Sequence, residues 1–357
     1  MYISTDFSYR LRLAYDTSPG SMFVFNVLPA RTRHQRPIAE TIQLQGGQVV
    51  QRVTDSASAT RFVHVAAHSS RLELELDTRV NVQPRLLDAL DLRMMGGGGL
   101  SITPEAFKYL LPSRYCQSDQ MHSFVQAEFA RFTDPFERAQ AISEWVNRNM
   151  TFKPGTTTWQ TSAAECLAGR VGVCRDFAHL MVALCRACNL PARYVTGVDY
   201  GCHIGPSDFH AFVEVLIKDT WLTFDPTGLC PRTGLMRIGT GRDAAEVAFC
   251  SIFGTARMVS MKVEVAALDR DEAGLRACDA QAAALSSARL DELALIGRSW
   301  QDAVGVGEPA LVRSERLDTR TGRRHDSFAN LGRSEAANEN AARSGAARPP
   351  AFASRYQ

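Results

Sequence analysis

Across the first 95 residues, polar and apolar side chains alternate with a period of two. YRLRLAYD, SMFVFNVLPA, TIQLQGGQVVQRV, TRFVHVAAH and SRLELELDTRVNV repeat the pattern, each stopped by a cluster of Pro, Gly, Asp or Ser. In LELELDTRV this period puts the leucines on one face of a strand and the acidic residues on the other. Several such strands at short spacing predict a small antiparallel β-sandwich over residues 1–95. MMGGGGLS then breaks the pattern, and residues 96–104 are read as a linker. Its four glycines lack the Gly-Lys-Ser/Thr of a phosphate loop, so no nucleotide site is expected there.

Beyond Thr103 the period lengthens. Thr103 and Pro104 read as an N-cap followed by the first helical residue. DPFERAQAISEWVNRNM carries Phe136, Ala139, Ile142, Trp145 and Val146 on one stripe, which predicts an amphipathic helix. A second helix starts at Cys174, with Phe177, Leu180, Met181, Leu184, Cys185 and Cys188 on its buried stripe. After Pro191 the period returns to two in ARYVTGVDYG, HAFVEVLI and WLTFDP. Helices followed by antiparallel strands predict an α+β domain over residues 105–267. Residues 268–304 are Ala-rich and read as a helical extension. Residues 305–357 hold few large apolar groups, and disorder is expected there.

Composition narrows the class. Of 357 residues, 45% are hydrophobic and 22% charged, with a formal net charge of +2. That balance suits globular cores and supplies no strong basic field, so nucleic acid is not an expected partner. No run of 18 apolar residues occurs, so no membrane span is expected. MYISTDFSYRLRLAY lacks the apolar stretch of a secretory signal. Nine cysteines without such a signal point to reduced thiols and a cytoplasmic protein.

One of those cysteines stands apart. In GRVGVCRDFAHLMVALCRACNLPARYV, Cys185 and Cys188 fall on the apolar stripe, where a free cysteine packs like a small hydrophobe. Cys174 instead opens the helix, where unpaired N–H groups and the dipole favour a thiolate. Gly172 beside it would let a substrate approach the backbone. A thiolate nucleophile needs a base, and the base needs an orienting group. Downstream, His210 opens one strand and Asp225 closes the next, with Lys218-Asp219-Thr220 as the turn between them. A hairpin of that length brings imidazole and carboxylate to its open end, although sequence leaves the register open.

GVCRDFAHL, PARYVTGV, HAFVEV and WLTFDPT, in that order, resemble the transglutaminase-like superfamily of papain-fold cysteine enzymes, and in particular its bacterial members with an N-terminal β domain. The resemblance runs from about residue 105 to 265. It implies a papain-like core in which Cys174 is the nucleophile, His210 the general base and acid, and Asp225 the orienting carboxylate. It also implies acyl transfer on an amide or peptide bond through a thioester, with a protein or peptide as substrate and either water or an amine resolving the intermediate. Trp145 and Trp159 are both open as a second oxyanion donor. The calcium of mammalian transglutaminases is not carried over, because no D-x-D-x-D-G loop is present; no cofactor is expected.

Other residues have quieter readings. Asp176 is expected to interact with the helix dipole or bind a substrate amine, and Trp159 and Tyr200 to line the cleft. His179 is read as a helix-surface or capping group. Cys185, Cys188, Cys202 and His203 form a zinc alternative, set aside because this CxxC lies inside an apolar helix stripe. A non-catalytic binding scaffold with the same fold is the competing class.

Overall fold

Alternation does become strands. In the computed structural model, which describes residues 1–95, 103–202 and 207–289, the N-terminal segment forms β1 (Thr5–Thr17), β2 (Met22–Phe25), β3 (Gln35–Gln45), β4 (Gly47–Thr54), β5 (Arg61–Ala67), β6 (Arg71–Val82) and β7 (Arg85–Leu87). In β6, Leu72, Leu74, Leu76 and Val80 point inward while Arg71, Glu75, Asp77 and Arg79 face water. Phe7, Leu11, Tyr15, Phe23, Phe25, Val63 and Val65 fill the space between two sheets. Arg10–Asp77 and Arg12–Glu75 bridge neighbouring strands at 3.0 and 3.2 Å on the wet face. Such exposed pairs contribute at most about 1 kcal/mol each.

Helical periodicity takes over after β7, in α1 (Ala89–Met95), α2 (Pro104–Phe107), α3 (His122–Phe129) and α4 (Pro135–Asn149). The Thr103 and Asp134 side chains cap α2 and α4, accepting from Ala106 N–H at 3.3 Å and Glu137 N–H at 2.9 Å. Next come β8 (Thr151–Phe152), α5 (Ala163–Gly169), β9 (Val171–Gly172) and α6 (Cys174–Ala187), then β10 (Ala192–Asp199), β11 (Phe209–Ile217), β12 (Thr220–Phe224) and β13 (Leu235–Gly241). The chain continues into β14 (Cys250–Phe253), β15 (Ala256–Ala267), α7 (Glu272–Gln281) and β16 (Ala284–Arg289). Helix α6 lies on β10 and β11, with α4 and α5 against its other side. The architecture is an α+β core joined to a β-sandwich built mainly from the N-terminal strands.

Three expectations need correction. Residues 250–267 do not belong with the α+β core. β15 pairs along the whole of β1, and β14 pairs with β2, so both complete the sandwich sheets β15-β1-β6-β3 and β14-β2-β5-β4. Conversely, β7 and β16 extend the core sheet, in the order β13-β10-β11-β12-β16-β7. The two units therefore exchange strands, and residues 268–289 form a helix followed by a core strand. Third, α6 is buried on nearly every side, and only Arg175 and Ala187 of its 14 residues are partly exposed. Its polar positions have dedicated partners: the Arg186 guanidinium donates to the Ala192, Leu111 and Arg242 carbonyls. Among the described residues no helix is long and apolar enough to cross a membrane. The tail from 290 and most of the 96–104 linker lie outside the described residues.

Candidate active site

Cys174 is the first residue of α6 because the turn before it is tied down. β9 pairs in parallel with β8, and Lys153 N–H donates to the Gly172 carbonyl at 2.9 Å. Asp176 reaches back to accept from Val173 N–H at 2.9 Å and from the Thr157 hydroxyl at 2.6 Å. Its side chain is fully buried and also pairs with Arg175 at 3.1 Å. Asp176 is thus the clasp of the helix start and is not available to a substrate amine, contrary to one of the sequence readings. Gly172 serves the same clasp and not a substrate: a Cβ there would meet Asp176 Cβ at 2.7 Å and Oδ2 at 2.9 Å. Gly172→Ala is accordingly expected to cost about 1–3 kcal/mol through overpacking, read as a lower urea midpoint with an unchanged slope. An unaltered midpoint would show that the clasp yields freely.

His210 is the second residue of β11 and pairs across from Gly197 of β10. Gly197 is required by its neighbours, since a Cβ would lie 2.4 Å from the Met236 carbonyl oxygen and 2.7 Å from the Phe212 ring. In the β11–β12 hairpin Val213 faces Phe224, so Asp225 follows directly at the open end. Asp225 Oδ2 lies 3.3 Å from His210 Nε2, and His210 and Cys174 line the same cavity. The structure therefore brings together Cys174, His210 and Asp225.

Two further groups stand beside them. Asp199, the last residue of β10, places Oδ2 at 3.6 Å from His210 Nδ1, and the Cys230 thiol donates to Asp225 Oδ2 at 3.4 Å. Sequence reading did not find either, because each reaches the histidine through the fold: Asp199 by β10–β11 pairing and Cys230 by the loop after Asp225. Asp199, His210 and Cys230 are also, among the described residues, a group of metal-type donors, with ligand atoms within 4.8 Å of one another.

Electrostatics separates these groups. Burial by itself would lower the His210 imidazole, but Cys230, Asp225 and Cys174 outweigh it and raise it well above 6.5. We assign that effect to the Asp225 carboxylate, because burial pushes the Cys230 thiol upward and keeps it a neutral donor. Asp225 itself is held below the usual carboxylate range: burial opposes this, and His210 and two Thr227 bonds prevail. Asp199 moves the other way, raised by burial.

Cys174 and His210 open onto a cavity of about 380 Å³. Trp159 lines it and is 48% exposed, so of the two tryptophans it is the one that shares the cavity with Cys174. Trp145 instead packs edge-on against Phe124 at 5.0 Å, with Arg170 over its ring. Tyr200 is not in the cleft; it packs on Phe7 at the edge of the sandwich core. His179 is not on a helix surface either. It is fully buried between Tyr115 and Tyr194, accepts at Nε2 from Ala244 N–H at 3.1 Å, and is pushed by desolvation down to about 3, which keeps it neutral. Cys185 and Cys188 lie in the core, where burial raises both thiols, Cys188 to about 11. Cys202 packs on a separate apolar cluster, and His203 lies outside the described residues.

A cysteine at the head of a buried helix, packed on an antiparallel sheet whose strands carry the histidine, defines the papain-like class. The chain belongs to the transglutaminase-like superfamily. That family's model matches residues 123–226. A crystal structure of a candidate cysteine protease from Cytophaga hutchinsonii is 35% identical, covers 76% of this chain and 94% of its own, and superposes with a TM-score of 0.69. An uncharacterized protein of Mycobacterium leprae is 29% identical over 146 residues, covering 39% of this chain and 52% of that protein. One from Mycobacterium tuberculosis is 30% identical over 144 residues, with 36% and 46% covered. The chain spans about half the length of these curated relatives.

Proposed function

We propose that this protein is a cysteine-dependent enzyme that acts on amide or peptide bonds by acyl transfer, with Cys174, His210 and Asp225 as its triad and a protein or peptide as substrate. The observation that supports this reading best is His210 itself, which shares a cavity with Cys174 and lies 3.3 Å from a buried carboxylate. The Cys174 sulfur attacks the carbonyl carbon, and the His210 imidazolium gives its proton to the departing nitrogen as the C–N bond breaks. A thioester remains on Cys174. Water or an amine then attacks it, giving its proton to His210, and the thiol group is regenerated. Asp225 orients the ring and stabilises its charged form, a role its own bonds to Thr227 suit by fixing the carboxylate. Nine free cysteines suit a reducing compartment such as the cytoplasm.

Limiting iodoacetamide at neutral pH, followed by peptide mapping, tests the reading. Cys174 is expected to be alkylated at least about tenfold faster than Cys116, Cys166, Cys185, Cys188 and Cys230, whose thiols burial pushes up and so keeps from the reactive thiolate form. Cys174→Ala should lose that fast phase and retain the slow ones. An inert Cys174 would favour the scaffold class instead.

A further inference from the structure

The cavity next to the sulfur has a character of its own. Its walls are largely aromatic and aliphatic, with Tyr15, Tyr194, Phe209, Phe249, Ile252 and Met258 among them. Tyr15 and Met258 come from sandwich strands β1 and β15, so the sandwich supplies part of the wall facing the nucleophile. The volume, about 380 Å³, falls in the range of roughly 300–1,000 Å³ that holds sizeable ligands. Among the described residues no aspartate or glutamate lines it, whereas two arginines do. They differ in how far they are committed. Arg175 is tied to the Thr158 carbonyl at 2.6 Å and to Asp176 at 3.1 Å. The Arg114 guanidinium lies over the rings of Tyr115 and Trp159, at 5.2 and 5.8 Å, on the exposed rim, and pairs with no carboxylate among the described residues.

We infer that this cavity is a specificity pocket for a bulky, above all aromatic, side chain of the acyl donor, and that Arg114 selects a donor bearing a carboxylate beside that side chain. The inference rests on the acyl-transfer reading and adds its substrate class. An apolar wall without a carboxylate would strand a lysine or arginine side chain unpaired, at the desolvation cost of a buried charge. A small polar side chain would leave most of the apolar surface wet. The two rings hold the guanidinium at the rim, and a planar fork of N–H donors suits bidentate capture of a carboxylate. At that position lysine would be a poor replacement.

Peptidyl acyloxymethyl ketones provide the test, because the Cys174 sulfur bonds to the methylene carbon and a carboxylate leaves, whichever nucleophile resolves the natural thioester. Labelling rates are compared for acetyl-Glu-Phe, acetyl-Lys-Phe and acetyl-Glu-Ala probes by intact-mass measurement. The Glu-Phe probe is expected to label at least about tenfold faster than either of the others, a factor equivalent to about 1.4 kcal/mol. Arg114→Glu should invert the Glu-over-Lys preference, and Arg114→Gln should erase it. Ala248→Phe, which fills the cavity, should erase the Phe-over-Ala preference. Iodoacetamide alkylation of Cys174 in the unaltered protein reports on the nucleophile separately from the pocket. Equal rates for the three probes, or a charge preference unmoved by Arg114→Glu, would overturn the inference while normal alkylation left the acyl-transfer reading standing. Loss of alkylation in the unaltered protein would overturn both.

Discussion

His210→Ala is expected to slow every acyl-transfer or probe-labelling reaction at Cys174 by on the order of 10²–10⁴-fold, the usual contribution of a positioned acid–base group. The loss should reside in the chemical step, because His210 is buried and contributes only part of the cavity lining. Asp225→Asn makes the sharper test. His210 has a folded-state pKa raised above 6.5, so its charged form is fully present below that value and is lost as pH rises through the raised one. Asp225 has a lowered pKa, so its contribution is present above 3.8 and is lost as pH falls through the lower value. Activity should therefore fall on the alkaline side with His210 and on the acid side with Asp225. Removing the Asp225 charge leaves burial less opposed, and the alkaline limb of kcat/KM should move to lower pH. Asp199→Asn should move it less, since Asp199 is itself raised by burial and is 3.6 Å from the ring. An alkaline limb that stays in place in Asp225→Asn would remove Asp225 from the role proposed for it.

Glu214→Ala carries the largest expected loss of stability, about 3–5 kcal/mol, because it leaves buried positive charge uncompensated. Glu214 and Arg193 face each other across β10 and β11, both about 1% exposed at their side chains, with N and O 2.6 Å apart. Arg237 approaches the same carboxylate at 3.5 Å, and the Trp221 ring lies 4.0 Å from the Arg193 guanidinium. Burial alone would raise the Glu214 carboxyl, and the two arginines instead hold it below its ordinary range. The pairing is four residues from the Gly197–His210 pair on the same two strands. Loss of stability should thus be accompanied by loss of labelling at Cys174. The double variant Arg193→Met with Glu214→Leu, which removes both charges and keeps the volume, should cost less than Glu214→Ala. Denaturant midpoints with unchanged slopes are the measurement. A Glu214→Ala midpoint within about 0.5 kcal/mol of the parent would mean that water reaches and solvates the arginines.

The local pattern carried far in this chain. Alternation in β6, the three-four stripe of α4, the cap at Thr103 and the helix start at Cys174 all follow from nearest-neighbour chemistry, and each is where the local pattern puts it. The His210–Asp225 juxtaposition was legible for the same reason, since a tight hairpin turns sequence distance into spatial proximity. Where the reading failed, the cause was an interaction between segments far apart. Residues 250–267 read as part of the core because they follow it, yet their strands find edges on β1 and β2 more than 200 residues earlier. Asp176, Gly172 and His179 read as solvent- or substrate-facing because a helix period cannot tell that both sides of α6 will be covered.

Sequence by itself therefore determined which segments are strands and helices, which cysteine heads a helix, and which imidazole and carboxylate share a hairpin, because those depend on backbone geometry and contacts a few residues long. Tertiary structure alone decided that the sandwich supplies part of the cavity wall, that Asp199 and Cys230 crowd the histidine, and that Arg114 stands at the rim with two aromatic rings and, among the described residues, no carboxylate. These depend on long-range strand pairing and on the burial it imposes, and neither leaves a period in the chain.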